Sequence, residues 1–128
     1  MTVDIEQVHA ERRDPASPEG PTDLRAMARE LLEEAGGLAS QRSARTLTPG
    51  AGAALKQTLM ALKAGARLQD HVAPGPTTLL GLVGTALLSD EHGRVELGEG
   101  GWAPCPRGAH SIEAVTDVVV LITVAPGV

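Results

Sequence analysis

Three residues have side chains suited to chemistry at neutral pH: His71, Cys105 and His110. An imidazole titrates near pH 7 and can serve as general acid or general base. Two imidazoles with one thiolate also form a donor set that suits zinc or copper. His71 lies in GARLQDHVAPGPTTLLGLVG, residues 65–84, framed by Gly65 and Gly84. Cys105 and His110 lie in LGEGGWAPCPRGAH, residues 97–110. Whether Cys105 faces the same space as His110 is open, because the turn at Pro106 to Ala109 resets the strand phase. A lone cysteine also serves as a small buried hydrophobe, and a lone histidine as a hydrogen-bonded core residue. Asp70 adjoins His71 and is expected on the opposite face, which makes it a poor ligand. Trp102, the chain's sole aromatic ring, either packs in the wall or stacks on a ligand. Gln57 sits in an apolar strand face and needs a hydrogen-bond partner, from the backbone or from a ligand.

The elements that carry these residues follow from hydrophobic spacing. Residues 1–21 hold Pro15, Pro18 and Pro21 among charged residues, including His9, and read as a disordered N-terminal arm. Residues 22–35, TDLRAMARELLEEA, have apolar residues recurring at three and four and predict a helix, capped by Thr22 or Asp23 and stopped by Gly36-Gly37. Its stripe must be buried on the main domain or on a partner subunit. Residues 38–53 read as a linker with a short first strand around ARTL. In LKQTLMALKA, residues Leu55, Gln57, Leu59 and Ala61 alternate with Lys56, Thr58, Met60 and Leu62. Both faces carry apolar residues, so this strand is covered on two sides. RLQDHVA, TTLLGLVGTALL, RVEL, WAPCP, HSIEA and TDVVVLITVA follow as further strands, bounded by Gly, Pro and the turn SDEHG. Short strands at this spacing predict an all-β barrel or sandwich.

Composition narrows the function classes. The 128 residues suit one domain, with 42% hydrophobic residues but no Phe or Tyr. A core of Leu, Val, Ile, Ala and Met predicts room for an interior cavity. A net charge of −5 with scattered arginines argues against nucleic acid. A single Cys allows no intrachain disulfide and fits a cytoplasmic location. No apolar run is long enough to predict a membrane span, and the first residues do not read as a signal peptide. No nucleophile elbow, phosphate loop or dinucleotide fingerprint is present.

Gly65, five residues, His71 and a closing Gly84, followed by Gly98, Gly100, Pro106 and His110, resemble the two motifs of the cupins. These are small double-stranded β-helix barrels of the jelly-roll type. The resemblance covers residues 45–126. HSIEAVTDVVVLITVAP and the helix before the barrel are similar to features of small, single-domain bacterial members. The resemblance implies an all-β cupin-type jelly-roll barrel at residues 45–128, preceded by one N-terminal α-helix with its linker at 22–44. Metal-binding cupins use three His and one Glu. Here Ala73 stands at the second His, Thr77 or Thr78 at the Glu, and Gly101 at the Asp that usually follows the second motif's glycine. Only His71 and His110 match metal-ligand positions, so the implied site is degenerate.

The expected function is therefore small-molecule binding in the barrel cavity, with His71 and His110 as catalytic groups and Gln57, Thr77, Trp102 and Cys105 as ligand-binding residues. A metal-independent cyclase or isomerase of a bacterial biosynthetic pathway is the enzymatic form of this expectation. One alternative is a metal-dependent oxygenase or isomerase with a weakly held Zn, Fe, Mn, Ni or Cu ion on His71 and His110. Another is a non-enzymatic ligand-sensing or interaction protein. A homodimer is expected, since the helix stripe and the two-sided strand both need cover.

Overall fold

The structure is a computed structural model that describes residues 20–48, 52–105 and 108–127, with residues 69–71 described in backbone only. The expected arm, apart from residues 20 and 21, and His9 lie outside the described residues. Helix α1 spans Leu24–Gly36. Asp23 is its N-cap, and Asp23 Oδ1 accepts from Arg25 N at 3.0 Å and Ala26 N at 3.2 Å. At the other end Gln41 Nε2 donates to the carbonyls of Ala35, Gly36 and Leu38, the last at 2.7 Å. Gln41 adopts φ 56° to reach them. The helix stop therefore uses a side-chain amide as well as the two glycines.

Among the described residues nine strands follow: β1 Arg42–Thr46, β2 Lys56–Leu62, β3 Arg67–His71, β4 Thr77–Val83, β5 Ala86–Asp90, β6 Gly93–Leu97, β7 Trp102–Pro104, β8 His110–Ala114 and β9 Val118–Val124. They form two antiparallel sheets, ordered β1-β2-β9-β4-β7 and β3-β8-β5-β6. The expected single strand TTLLGLVGTALL is two strands. β4 pairs with β9 in the first sheet and β5 with β8 in the second. The crossing occurs at Gly84, whose φ of 69° favours glycine and whose missing Cβ would collide with the Asp117 carbonyl oxygen. Sequence periodicity could not reveal this switch, since both halves are equally apolar.

The sheets face each other across an aliphatic core. Leu62, Leu79, Leu88, Ile112, Val118 and Val120 pack there and are at most 4% exposed. Branched aliphatic chains, in place of the aromatic rings the sequence lacks, make up this core. The outer face of the first sheet carries Leu59, Ala61 and Val119, which pack against Ala28 and Leu31 of α1. The two apolar surfaces that motivated the homodimer thus cover each other within one chain. No helix among the described residues is long and apolar enough to cross a membrane.

Candidate functional site

Alternation along each strand sorts the candidate residues by face. On β8, His110, Ile112 and Ala114 share the inner face, and His110 is 1% exposed. On β4, Thr77 shares the inner face with Leu79, whereas Thr78 lies on the outer face opposite Thr123 and Pro104. Cys105 follows β7, and its backbone N–H donates to the Thr77 carbonyl at 2.8 Å. It packs against the core, half-buried. The turn after Cys105 returns the chain so that Cys105 Sγ lies 3.4 Å from His110 Nε2. Thr77, Cys105 and His110 therefore meet at one end of the sandwich.

The hydrogen bonds define the chemistry of this pair. His110 Nδ1 is 3.0 Å from the Gly108 carbonyl oxygen, which can only accept. Nδ1 therefore carries the proton in the neutral ring, and the Nε2 lone pair faces the Cys105 thiol. Loss of hydration pushes the Cys105 thiol up to about 11. The contact is then an S–H···N hydrogen bond from a protonated thiol. Thr77 Oγ1 donates to the Gly75 carbonyl at 2.9 Å, which fixes the turn before β4.

His71 and His110 are directly paired in the β3–β8 register. A register shift between Leu68 and His71 produces this pairing: three steps along β3 match two steps along β8. A regular ladder would have put Asp70 opposite His110. The side chain of His71 lies outside the described residues, so its expected role as acid, base or metal ligand is carried by register alone.

Two expected ligand-binding residues stand elsewhere. Gln57 lies on the outer face with Leu59 and Ala61, and its Nε2 donates to Thr123 Oγ1 at 3.2 Å. The correction has a simple cause: β2 is apolar on both faces, and the helix, not a ligand, covers the Gln57 side. Trp102 pairs with Leu80 on the outer face and is 62% exposed, so it is not positioned to stack on anything between the sheets.

Asp90, which the sequence places in the turn SDEHG, is not singled out by sequence reasoning. It stands in register opposite His110 on β5. With Leu88, His92, Gly93, Arg94, Val95 and Pro104 it lines a cavity of about 280 Å³ where the β5–β6 hairpin and β7, the edges of the two sheets, part. The usable signal was the alternation of Ala86, Leu88 and Asp90. Treating β4 and β5 as one regular strand hid it, because the register shift between Gly81 and Val83 inverts the parity. Within the described residues, no group of three His, Cys, Asp or Glu side chains is placed to hold a metal ion. Cys105 and His110 supply two donors, one fewer than a catalytic ion takes from protein.

No family model matches the chain, and no curated protein sequence matches it. Solved structures do. A cupin superfamily protein from Desulfitobacterium hafniense is 18% identical, with 89% of this chain and 98% of that one covered and a TM-score of 0.66. An RmlC-like cupin protein from Desulfovibrio desulfuricans is 26% identical, with 66% and 82% covered and a TM-score of 0.55. Salicylate 1,2-dioxygenase from Pseudaminobacter salicylatoxidans is 19% identical with a TM-score of 0.70, and 89% of this chain spans only 37% of that enzyme. Two facing antiparallel sheets in jelly-roll arrangement, with one helix before them and this likeness, show that the chain has the fold of the cupins.

Proposed function

We propose that this cupin binds a small molecule at the His110 end of the sandwich, entering where the β5–β6 hairpin and β7 part. The observation that carries this reading is His110. It is buried on the inner face, its tautomer is held by the Gly108 carbonyl, and its Nε2 faces the Cys105 thiol at that end of the fold. Asp90, the register partner of His110 on β5, lines a cavity of about 280 Å³ with apolar Leu88, Val95 and Pro104 and polar His92 and Arg94. That combination suits a compact ligand with one apolar and one polar side, near the lower end of ligand-pocket sizes. In the catalytic form of this proposal, His110 Nε2 takes a proton from the bound molecule and His71, its register partner, returns one. Such metal-independent proton transfer is the chemistry of an isomerase or cyclase.

The test is a thermal-shift screen of small metabolites on the wild type and on His110→Ala and Val95→Trp. Val95 is 55% exposed, so the tryptophan narrows the cavity without disturbing the core. Ligands that raise the wild-type melting temperature are expected to lose their effect in both variants. Stabilisation retained by both would overturn the assignment of the site.

A second reading is favoured by one distance. The 3.4 Å between Cys105 Sγ and His110 Nε2 suits two ligands on one tetrahedral zinc, with bonds of about 2.3 and about 2.0 Å. With only two donors described, no step is routed through an ion. Metal analysis of protein purified without added metal decides between the readings. Stoichiometric metal that disappears in both His71→Ala and His110→Ala would replace the first reading with the second.

A further inference from the structure

The outer face of the second sheet carries a cavity of about 440 Å³. Ser111 lies between the inward-facing His110 and Ile112, so alternation puts it on this outer face. Ser89 stands beside it in register on β5. Ser111 lines the cavity and is nevertheless only 3% exposed. Arg67 on β3 shares the face, because its neighbour Leu68 packs against the core. Its guanidinium leaves its register partner Glu113 and reaches along β8, where Nη2 donates to Ser111 Oγ at 3.3 Å. The oxygen of Ser111 is the acceptor in that bond. Among the described residues nothing accepts the proton of its hydroxyl. A guanidinium and a buried hydroxyl thus supply donors to one space, a donor set that suits a carboxylate.

The other end of the cavity is acidic. Asp90 and Glu91 line it where β5 turns into β6. Asp90 Oδ1 accepts from His92 N at 2.8 Å, and Glu91 Oε1 lies 3.2 Å from His92 Nε2. Among the described residues the second oxygen of each carboxylate remains for a further donor. Ser111 and Ser89 are one strand spacing apart, and Asp90 and Glu91 follow one and two residues on. The two ends therefore lie about 6–8 Å from each other. A simple anion would bring its charge beside two carboxylates, and a simple cation would meet Arg67. Both ends are matched only by a short molecule that carries both charges.

We propose that this face binds a small amino acid. Its carboxylate sits on the Arg67 guanidinium and the hydroxyls of Ser111 and Ser89, and its ammonium on Asp90 and Glu91. The site is separated by the thickness of the sheet from the inner face that carries His110. Asp90 borders both cavities, whereas Arg67, Ser89, Glu91 and Ser111 belong to this one alone.

Backbone-amide NMR of the full chain tests this, in titrations with glycine and β-alanine and with acetate and ethylamine as single-charge probes. Both amino acids are expected to give saturable shifts at Ser89, Glu91, Ala109 and Ser111, and the single-charge probes are not. Arg67 is exposed, so Arg67→Gln is expected to keep the fold and to weaken binding about tenfold or more. Glu91→Gln, also at an exposed position, is expected to weaken it as well. Equal affinity for acetate and glycine would overturn the proposal in favour of a simple anion site. Shifts confined to residues 92–95 would overturn it by placing the molecule in the hairpin cavity. Wild-type affinity in Arg67→Gln, or no saturable shift with either amino acid, would overturn it outright.

Discussion

Cys105 sits half-buried against the core with its sulfur beside His110 Nε2, and burial pushes its thiol up to about 11. At neutral pH it is a hydrogen-bond donor and not a thiolate nucleophile. Its modification by a disulfide reagent at pH 8 is expected to be slow in the folded protein and fast in denaturant. The linkage has a definite sign. The folded thiol holds its proton more tightly than the unfolded one, so stability is intact below about 9 and declines as pH rises towards 11. Denaturant midpoints measured across that window check this, with Cys105→Ser expected to flatten the decline. Asp117 behaves oppositely. A hydrogen bond from Lys63 Nζ at 2.8 Å, then one from Ala64 N at 2.9 Å, lowers its carboxyl below the ordinary value. Its contribution is present above the unfolded carboxyl's titration range and is lost as pH falls through the folded value. Asp117→Asn is therefore expected to lower the melting temperature at pH 7 and to leave it nearly unchanged near pH 2. The histidine pair was legible in the chain because motif spacing is a local property. The inward side of Cys105 was not, since a turn of several residues carries no periodicity from one strand to the next.

The element that organises the molecule is β2, which is apolar on both faces because it separates two cores. Its inner residues meet the second sheet and its outer residues meet α1. Leu31 on α1 is fully buried in the outer cluster, so Leu31→Ala is expected to destabilise the protein by about 2–5 kcal/mol. Urea unfolding followed by circular dichroism measures it. The link between β4 and β5 is the second critical element. Gly84→Ala meets both a left-handed backbone and the Asp117 carbonyl, and is expected to abolish soluble expression. Gly98→Ala, where an added Cβ meets nothing within 4 Å, serves as the control and is expected to express normally. Helix and strand identities were legible because periods of 3.6 and 2 are written in consecutive residues. The sheet change at Gly84 was not, since it depends on which neighbours the two halves of an apolar run find. The register shift between Gly81 and Val83, just before that break, also concealed Asp90 by inverting the parity.

For the whole molecule, the helix and the barrel bury each other within a single chain. With α1 docked on its own sheet, the unfolding midpoint is expected to be independent of protein concentration, which urea titrations across a hundredfold range would check. A midpoint that rises with concentration would instead show that subunit association contributes to stability. By itself the sequence determined the all-β class, the preceding helix and the order of the two motifs that carry the cupin resemblance. Each of these is written in residue type, period or spacing along the chain. Only the tertiary structure decided that Cys105 faces His110, that a register shift aligns His71 with His110, and that Gln57 and Trp102 face outward. These are relations across turns and between sheets. They are set by which apolar faces pack together, and no local pattern in the chain records that choice.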